Sequence, residues 1–150
     1  MLYLISCIIE ADLPTSQFYM KRELASWYSP SLQKEMPIAS YGEFGFALLL
    51  VPTAAADYLE YERFQLMDHI APFIDAGKVR VFSIDSINNE SWLNNQVDPP
   101  YKSIRHQQWN DYVFNEVVPF IRTNTSAETP IITCGTSGAF AICSMSCWPT

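Results

Sequence analysis

The sequence predicts an α/β fold built on a mostly parallel sheet and arranged as a three-layer α/β/α sandwich. Three observations carry this expectation. Residues Phe46–Val51 are six apolar side chains in a row, and continuous rather than alternating apolarity marks a strand covered on both faces. Strand candidates alternate with helical stretches, as parallel pairing through crossovers requires. The last strand candidate, residues 130–134, runs straight into Gly135-Thr136-Ser137-Gly138-Ala139, a small-residue turn carrying one serine.

The elements follow in order. Trp27-Tyr28-Ser29-Pro30-Ser31-Leu32 and residues 36–41 read as a strand, a turn and a second strand. Tyr41-Gly42-Glu43-Phe44-Gly45 is a turn whose glycines suit positive φ. Pro52 stops the Phe46–Val51 strand. Asp57 is placed to cap the next helix, to which Leu59, Phe64, Met67, Ile70, Ala71 and Ile74 give an apolar face. Pro72 is expected to kink that helix, and Gly77 stands just past its end. Val79–Ile84 is a further strand, followed by a polar, Asn-rich loop over residues 85–100. A long helix is expected over residues 101–122, where Tyr101, Ile104, Trp109, Tyr112, Val113, Val117, Phe120 and Ile121 keep helical spacing and Pro119 falls near the end. Residues 123–129 form a polar linker into the last strand.

Composition narrows the function classes. With 49% apolar and 17% charged residues, the chain is too apolar for disorder, and 150 residues suffice for one buried core. A diffuse net charge of −7 argues against nucleic acid or an anionic membrane as partner, because both demand a basic patch. Cys7, Cys134, Cys143 and Cys147 match no zinc spacing and read as reduced cytosolic thiols. The triplets Asn89-Glu90-Ser91 and Asn124-Thr125-Ser126 are read as chance matches to the glycosylation pattern. The apolar start, residues 1–9, lacks a basic flank and is too short to span a bilayer. Residues 1–19 are read as an N-terminal extension, with Met20 the natural start of the domain over residues 20–150.

A strand that turns sharply into a helix with serine at the tip reads as a nucleophile elbow. Neighbours of the tip must be small, or they collide with the turning backbone. Such a serine needs a base, and the only histidines, His69 and His106, both precede Ser137 on predicted helices. Both are read as helix-surface or satisfied core residues. Glu60 and Glu62 are read as a solvated face or helix-terminus charges.

The chain resembles esterases of the α/β-hydrolase superfamily, the group related to enterochelin esterases and S-formylglutathione hydrolases. The likeness is carried by Trp27-Tyr28-Ser29-Pro30-Ser31-Leu32, Val51-Pro52-Thr53, Tyr58-Leu59-Glu60-Tyr61-Glu62, Ile84-Asp85-Ser86, Glu90-Ser91-Trp92, Arg105-His106, Asn115-Glu116-Val117-Val118-Pro119-Phe120-Ile121 and the elbow. It implies an α/β-hydrolase fold, a small-molecule ester substrate, and neither metal nor other cofactor. It implies Ser137 as the nucleophile, with oxyanion N–H donors from Gly138 and from Thr53 or Ala54. The alternative for Ala54-Ala55-Ala56 is that they simply begin a helix. Asp85, Ser86 and Trp92 are candidate pocket residues, since Asp85 and Ser86 close a strand at the edge where α/β sheets hold their sites.

Two departures from the family stand out. The elbow is Gly-Thr-Ser-Gly-Ala instead of Gly-x-Ser-x-Gly. Family members also continue for about a hundred residues, which bring the acid and histidine of the triad, whereas residues 140–150 do not resemble the family helix. The expectation is a truncated α/β-hydrolase, frameshifted or terminated near Ser137, cytoplasmic, and without turnover. An exposed sheet edge is then expected to drive dimerisation, aggregation or partial unfolding. The alternatives are a non-catalytic α/β fragment that acts by binding, and an acyltransferase.

Overall fold

The computed structural model describes residues 20–135. Strands β1 (Arg22–Ser29), β2 (Lys34–Tyr41) and β3 (Phe46–Val51) come first. Helices α1 (Glu60–Arg63) and α2 (Leu66–Asp75) lead to β4 (Val79–Ile84). A 3-10 turn at Asn88–Glu90 precedes α3 (Pro99–Tyr112), a π-helical segment (Val113–Val117), α4 (Val118–Asn124) and β5 (Ile131–Gly135).

The five strands form one mixed, open sheet in the order β1-β2-β4-β3-β5. β2 is antiparallel to both its neighbours, and β3 is parallel to β4 and β5. Only β2 therefore runs against the other four. Its reversal follows from the short β1–β2 connection, which leaves no room for a crossover. β3 and β4 occupy the bounds expected from their apolar runs. Alternate residues of each feed different cores. Leu49, Phe82 and Ile84 join Trp109, Tyr112, Val117 and Ile121, while Leu50, Val79 and Val81 join Met67 and Ile74. The sequence reads as continuous because both pleat faces are packed.

The glycine turn is confirmed in detail. Gly45 has φ +101, and a Cβ there would lie 2.2 Å from the Lys78 carbonyl carbon. Backbone approaches backbone at this point, so no side chain fits.

Two helices depart from expectation. The first breaks at Phe64–Gln65, where Gln65 takes φ 58, and α2 continues through Pro72. Phe64 is 73% exposed and so does not belong to the apolar face. Asp57 accepts the Leu59 N–H at 2.9 Å, one residue before α1 begins. The long helix spans 99–124 with a π segment in its middle, where the Val118 N–H reaches Val113 O. Pro119 has no N–H to donate, and the widened turn lies immediately before it. Asp98 caps the start, accepting the Tyr101 N–H, with prolines in the first turn.

A half-buried carboxylate ties the two ends of the described chain together. Glu116 accepts Trp27 Nε1–H at 2.8 Å, the Ser29 hydroxyl at 2.8 Å and the Ser31 N–H at 3.2 Å. Burial raises its pKa, but the hydrogen bonds from Ser31, Trp27 and Ser29 outweigh that, and the carboxyl titrates below the ordinary glutamate value.

Candidate functional site

The parallel strands β3, β4 and β5 end on the same side of the sheet. Val51 is paired with Gly135 in register, and Leu50 with Ser83. Three chain exits therefore cluster at one carboxyl edge, the position at which open α/β sheets hold ligands. Ser137 and Gly138 lie outside the described residues; the described chain reaches Gly135.

The exit from β3 is held from below. Thr53 donates its N–H to Glu60 Oε2 at 2.7 Å and its hydroxyl to Glu60 Oε1. Glu60 is only 4% exposed, which corrects the reading as a solvated face; it opens α1, as the alternative of a helix-terminus charge expects. The Tyr61 hydroxyl donates to Val51 O at 2.6 Å. Ala54 sits at φ 41, and its carbonyl accepts the Ser86 hydroxyl at 2.8 Å and the Asn88 side-chain amide. Helix α1 begins only at Glu60, so the three alanines do not start it. With its carbonyl turned toward β4, the Ala54 N–H has no hydrogen-bond partner among the described residues.

The exit from β4 supplies the opposite wall. Asp85 Oδ1 accepts the Tyr58 N–H at 3.1 Å, so it holds the far end of the same loop. Burial raises the Asp85 carboxyl above the ordinary aspartate value, and the Tyr58 hydrogen bond only partly offsets this. The folded state thus holds this proton more tightly than the unfolded chain. Its contribution is fully favourable below the ordinary aspartate range and is lost as pH rises through the raised value. Asp85→Asn keeps an acceptor for Tyr58 and removes the buried charge. It is expected to raise the urea midpoint at pH 7, with the gain fading at acid pH. A lower midpoint at pH 7 would show instead that the fold needs the carboxylate.

Between the walls lies a small cleft lined by Val51, Pro52, Ser86, Ile87, Asn88, His106 and Trp109. Its free volume is ≈ 20 Å³, room for about one water molecule. Trp92 is 50% exposed. Its indole meets the His106 ring at 5.8 Å and 62°, and His106 stacks on Trp109 at 6.3 Å and 20°. Ion pairs brace this wall: Glu90 joins Lys34 at 2.6 Å and the Arg105 guanidinium, which also donates to Leu32 O at 3.1 Å. Burial lowers the His106 pKa and so favours the neutral imidazole.

The sequence predicts a helix-surface or satisfied core position for both histidines. His69 is exposed on α2, with Nδ1 2.7 Å from Gln65 O, and stays apart from the cleft. His106 lines it. Its spacing of three from Trp109 puts both on one helix face, a signal the sequence did contain. Glu60 has no comparable signal, because Thr53, the partner of its side chain among the described residues, precedes it on a loop. Among the described residues no group of three or more His, Cys, Asp or Glu is placed to hold a metal ion. Among them, too, no helix is long and apolar enough to cross a membrane.

No protein-family model and no curated protein matches the chain. Solved structures do. An S-formylglutathione hydrolase from Agrobacterium tumefaciens matches with a TM-score of 0.60 at 18% identity, over 80% of this chain and 50% of that one. A ferulic acid esterase from the anaerobic fungus Anaeromyces mucronatus matches at 0.57 and 11% identity, over 79% and 50%. A fluorophosphonate-binding serine hydrolase of Staphylococcus aureus matches at 0.54 and 14% identity, over 77% and 47%. The chain thus spans about half the length of the solved structures it matches. Over nearly four-fifths of its own length it shares the fold of these solved structures.

Proposed function

We propose that this chain is the nucleophile-bearing part of a serine carboxylesterase-type hydrolase that acts on small acyl esters, within a three-layer α/β/α sandwich. The observation that carries the reading is the pairing of Val51 with Gly135. It sets Gly135, two residues before Ser137, level with the end of β3, from which the loop of Thr53 and Ala54 departs. The names of the matching structures, S-formylglutathione hydrolase and ferulic acid esterase, support an acyl-ester substrate class.

In this reading Ser137 Oγ attacks the ester carbonyl carbon while its proton passes to a histidine base. The carbonyl electrons move onto oxygen. The alcohol then leaves, taking the proton back, and water repeats the cycle on the acyl-serine. The oxyanion takes one N–H from Gly138 and one from the β3 loop. Of the two loop candidates, Thr53 has its N–H engaged by Glu60, which favours Ala54. Asp85, Ser86 and Trp92 line the approach. By resemblance, the histidine base and its acid come from sequence that would follow residue 150.

The test is labelling with a fluorophosphonate and mapping of the adduct. Forms of the protein that carry the downstream acid and histidine are expected to be labelled on Ser137, and Ser137→Ala is expected to abolish labelling. The 150 residues alone are expected to hydrolyse p-nitrophenyl acetate no faster than Ser137→Ala. An adduct on another residue, or turnover that survives Ser137→Ala, would overturn the reading. The second reading is a non-catalytic fragment that acts by binding. It is favoured by the position of both histidines ahead of Ser137, and it survives if no form is labelled.

A further inference from the structure

We propose that Ser86 and Asn88 are positioning residues for the oxyanion. They hold the Ala54 carbonyl on the β4 side of its loop and so turn the Ala55 N–H toward the β5 side. The role rests on the hydrolase reading; the clamp itself needs no turnover.

Both side chains build the clamp. The Ser86 hydroxyl donates to Ala54 O at 2.8 Å, and the Asn88 side-chain amide donates to the same oxygen. Ser86 Oγ also accepts the Asn88 N–H at 3.1 Å, so each residue fixes the other. Ile87 between them is buried and packs in the core, which anchors the pair. Ala54 is the strained member. Its φ of 41 lies in the left-handed region, which an alanine occupies only where its surroundings hold it there. Strain of this kind collects at binding and reacting sites.

The peptide plane sets the direction. No peptide bond among the described residues is cis, and in a trans peptide the C=O of one residue and the N–H of the next point in opposite directions. The Ala54 carbonyl points at residues that follow β4. The strand order is β4-β3-β5, and the loop leaves the middle strand. The Ala55 N–H therefore points away from β4, to the side that carries Gly135, two residues before Ser137. Other N–H groups of the loop are engaged. Glu60 takes that of Thr53, Thr53 O that of Ala56 at 2.9 Å, and Asp85 that of Tyr58. Those of Ala54 and Ala55 have no partner among the described residues. Successive free N–H groups on a loop held from its far side are preorganised to meet negative charge. The Ala55 N–H thus joins that of Ala54 as a donor to the oxyanion.

The test uses the 150-residue chain and reads its alanine signals by NMR, with methylphosphonate as the oxyanion probe and chloride at matched ionic strength as the control. The Ala54 Cα and Cβ shifts are expected to carry the signature of a left-handed residue. Methylphosphonate is expected to shift the Ala54 and Ala55 amide signals saturably, and chloride to leave them unmoved. Ser86→Ala combined with Asn88→Ala is expected to erase the left-handed signature and to weaken methylphosphonate binding by about tenfold or more. Ser86→Thr, which keeps the hydroxyl, should hold the affinity within about twofold. Ser86 and Asn88 are half-buried, which makes the variants compatible with folding, and the dispersion of the spectrum checks it. A left-handed Ala54 in the double variant, unchanged affinity there, or no saturable shift at Ala54 and Ala55 in the wild-type chain overturns the proposal. Labelling of Ser137 is scored separately, so failure of the clamp and failure of the hydrolase reading are distinct results.

Discussion

Glu116→Ala is expected to lower folding stability by about 2–3 kcal/mol, because it strands three donors on β1 and the turn that follows it. Trp27 Nε1–H, the Ser29 hydroxyl and the Ser31 N–H all lose their acceptor. Ser29 is fully buried, so water does not replace the carboxylate there. The other donors are partly reached by solvent, which holds the figure below that for a fully enclosed charge. The pH dependence has a fixed sign. The folded-state pKa of Glu116 lies below the ordinary value, so its contribution is present above that value and is lost as pH falls through the lowered one. Urea unfolding of wild type and Glu116→Ala should therefore differ most near pH 7 and converge at acid pH. Glu116→Gln, which keeps one acceptor oxygen, should recover part of the loss. Equal midpoints at pH 7 would show that the β1 end of the sheet does not depend on this contact.

Glu60→Ala is expected to cost about 2–4 kcal/mol and to loosen the loop that leaves β3. Both carboxylate oxygens serve Thr53, one through the N–H and one through the hydroxyl. Removal frees the Thr53 N–H to compete for whatever acceptor the loop was built to meet, and it releases the backbone that holds Ala54 at φ 41. Hydrogen exchange at the Thr53 amide should accelerate in Glu60→Ala and stay slow in Glu60→Gln, whose oxygen still accepts one bond. An unprotected Thr53 amide in the wild-type protein would sink this account of the loop. In a form that turns over ester, the same change should lower kcat with little effect on KM, as expected when a positioning group rather than a binding contact is removed.

Glu60, Glu116 and Glu90 each join motifs that lie apart in the sequence. Val51-Pro52-Thr53 and Tyr58 to Glu62 are one device, joined through Glu60 and the Tyr61 hydroxyl. Trp27 to Leu32 meets Glu116, and Glu90-Ser91-Trp92 meets Arg105-His106. Each of these motifs is half of a pair whose other half lies elsewhere among the described residues. Singly none is decisive, because the chemistry that makes each residue necessary sits on its partner. That Thr53, Ala54, Asp85 and Ser86 lie just past the ends of β3 and β4 is legible because strand ends can be read from apolar runs. The partner of Asn88 is not, since an asparagine in an Asn-rich loop gives no sign of which carbonyl it faces.

The sequence alone determined the local elements at the centre of the sheet. β3 and β4 announce themselves because burial on both faces demands unbroken apolar side chains, and Gly45 announces the close turn because only a hydrogen fits there. The tertiary structure alone decided which charges are buried, which histidine reaches the cleft, and that β2 runs against its neighbours. Apolar burial is a property each residue carries with it. The role of a carboxylate or an imidazole depends on a partner that only folding brings within hydrogen-bond distance.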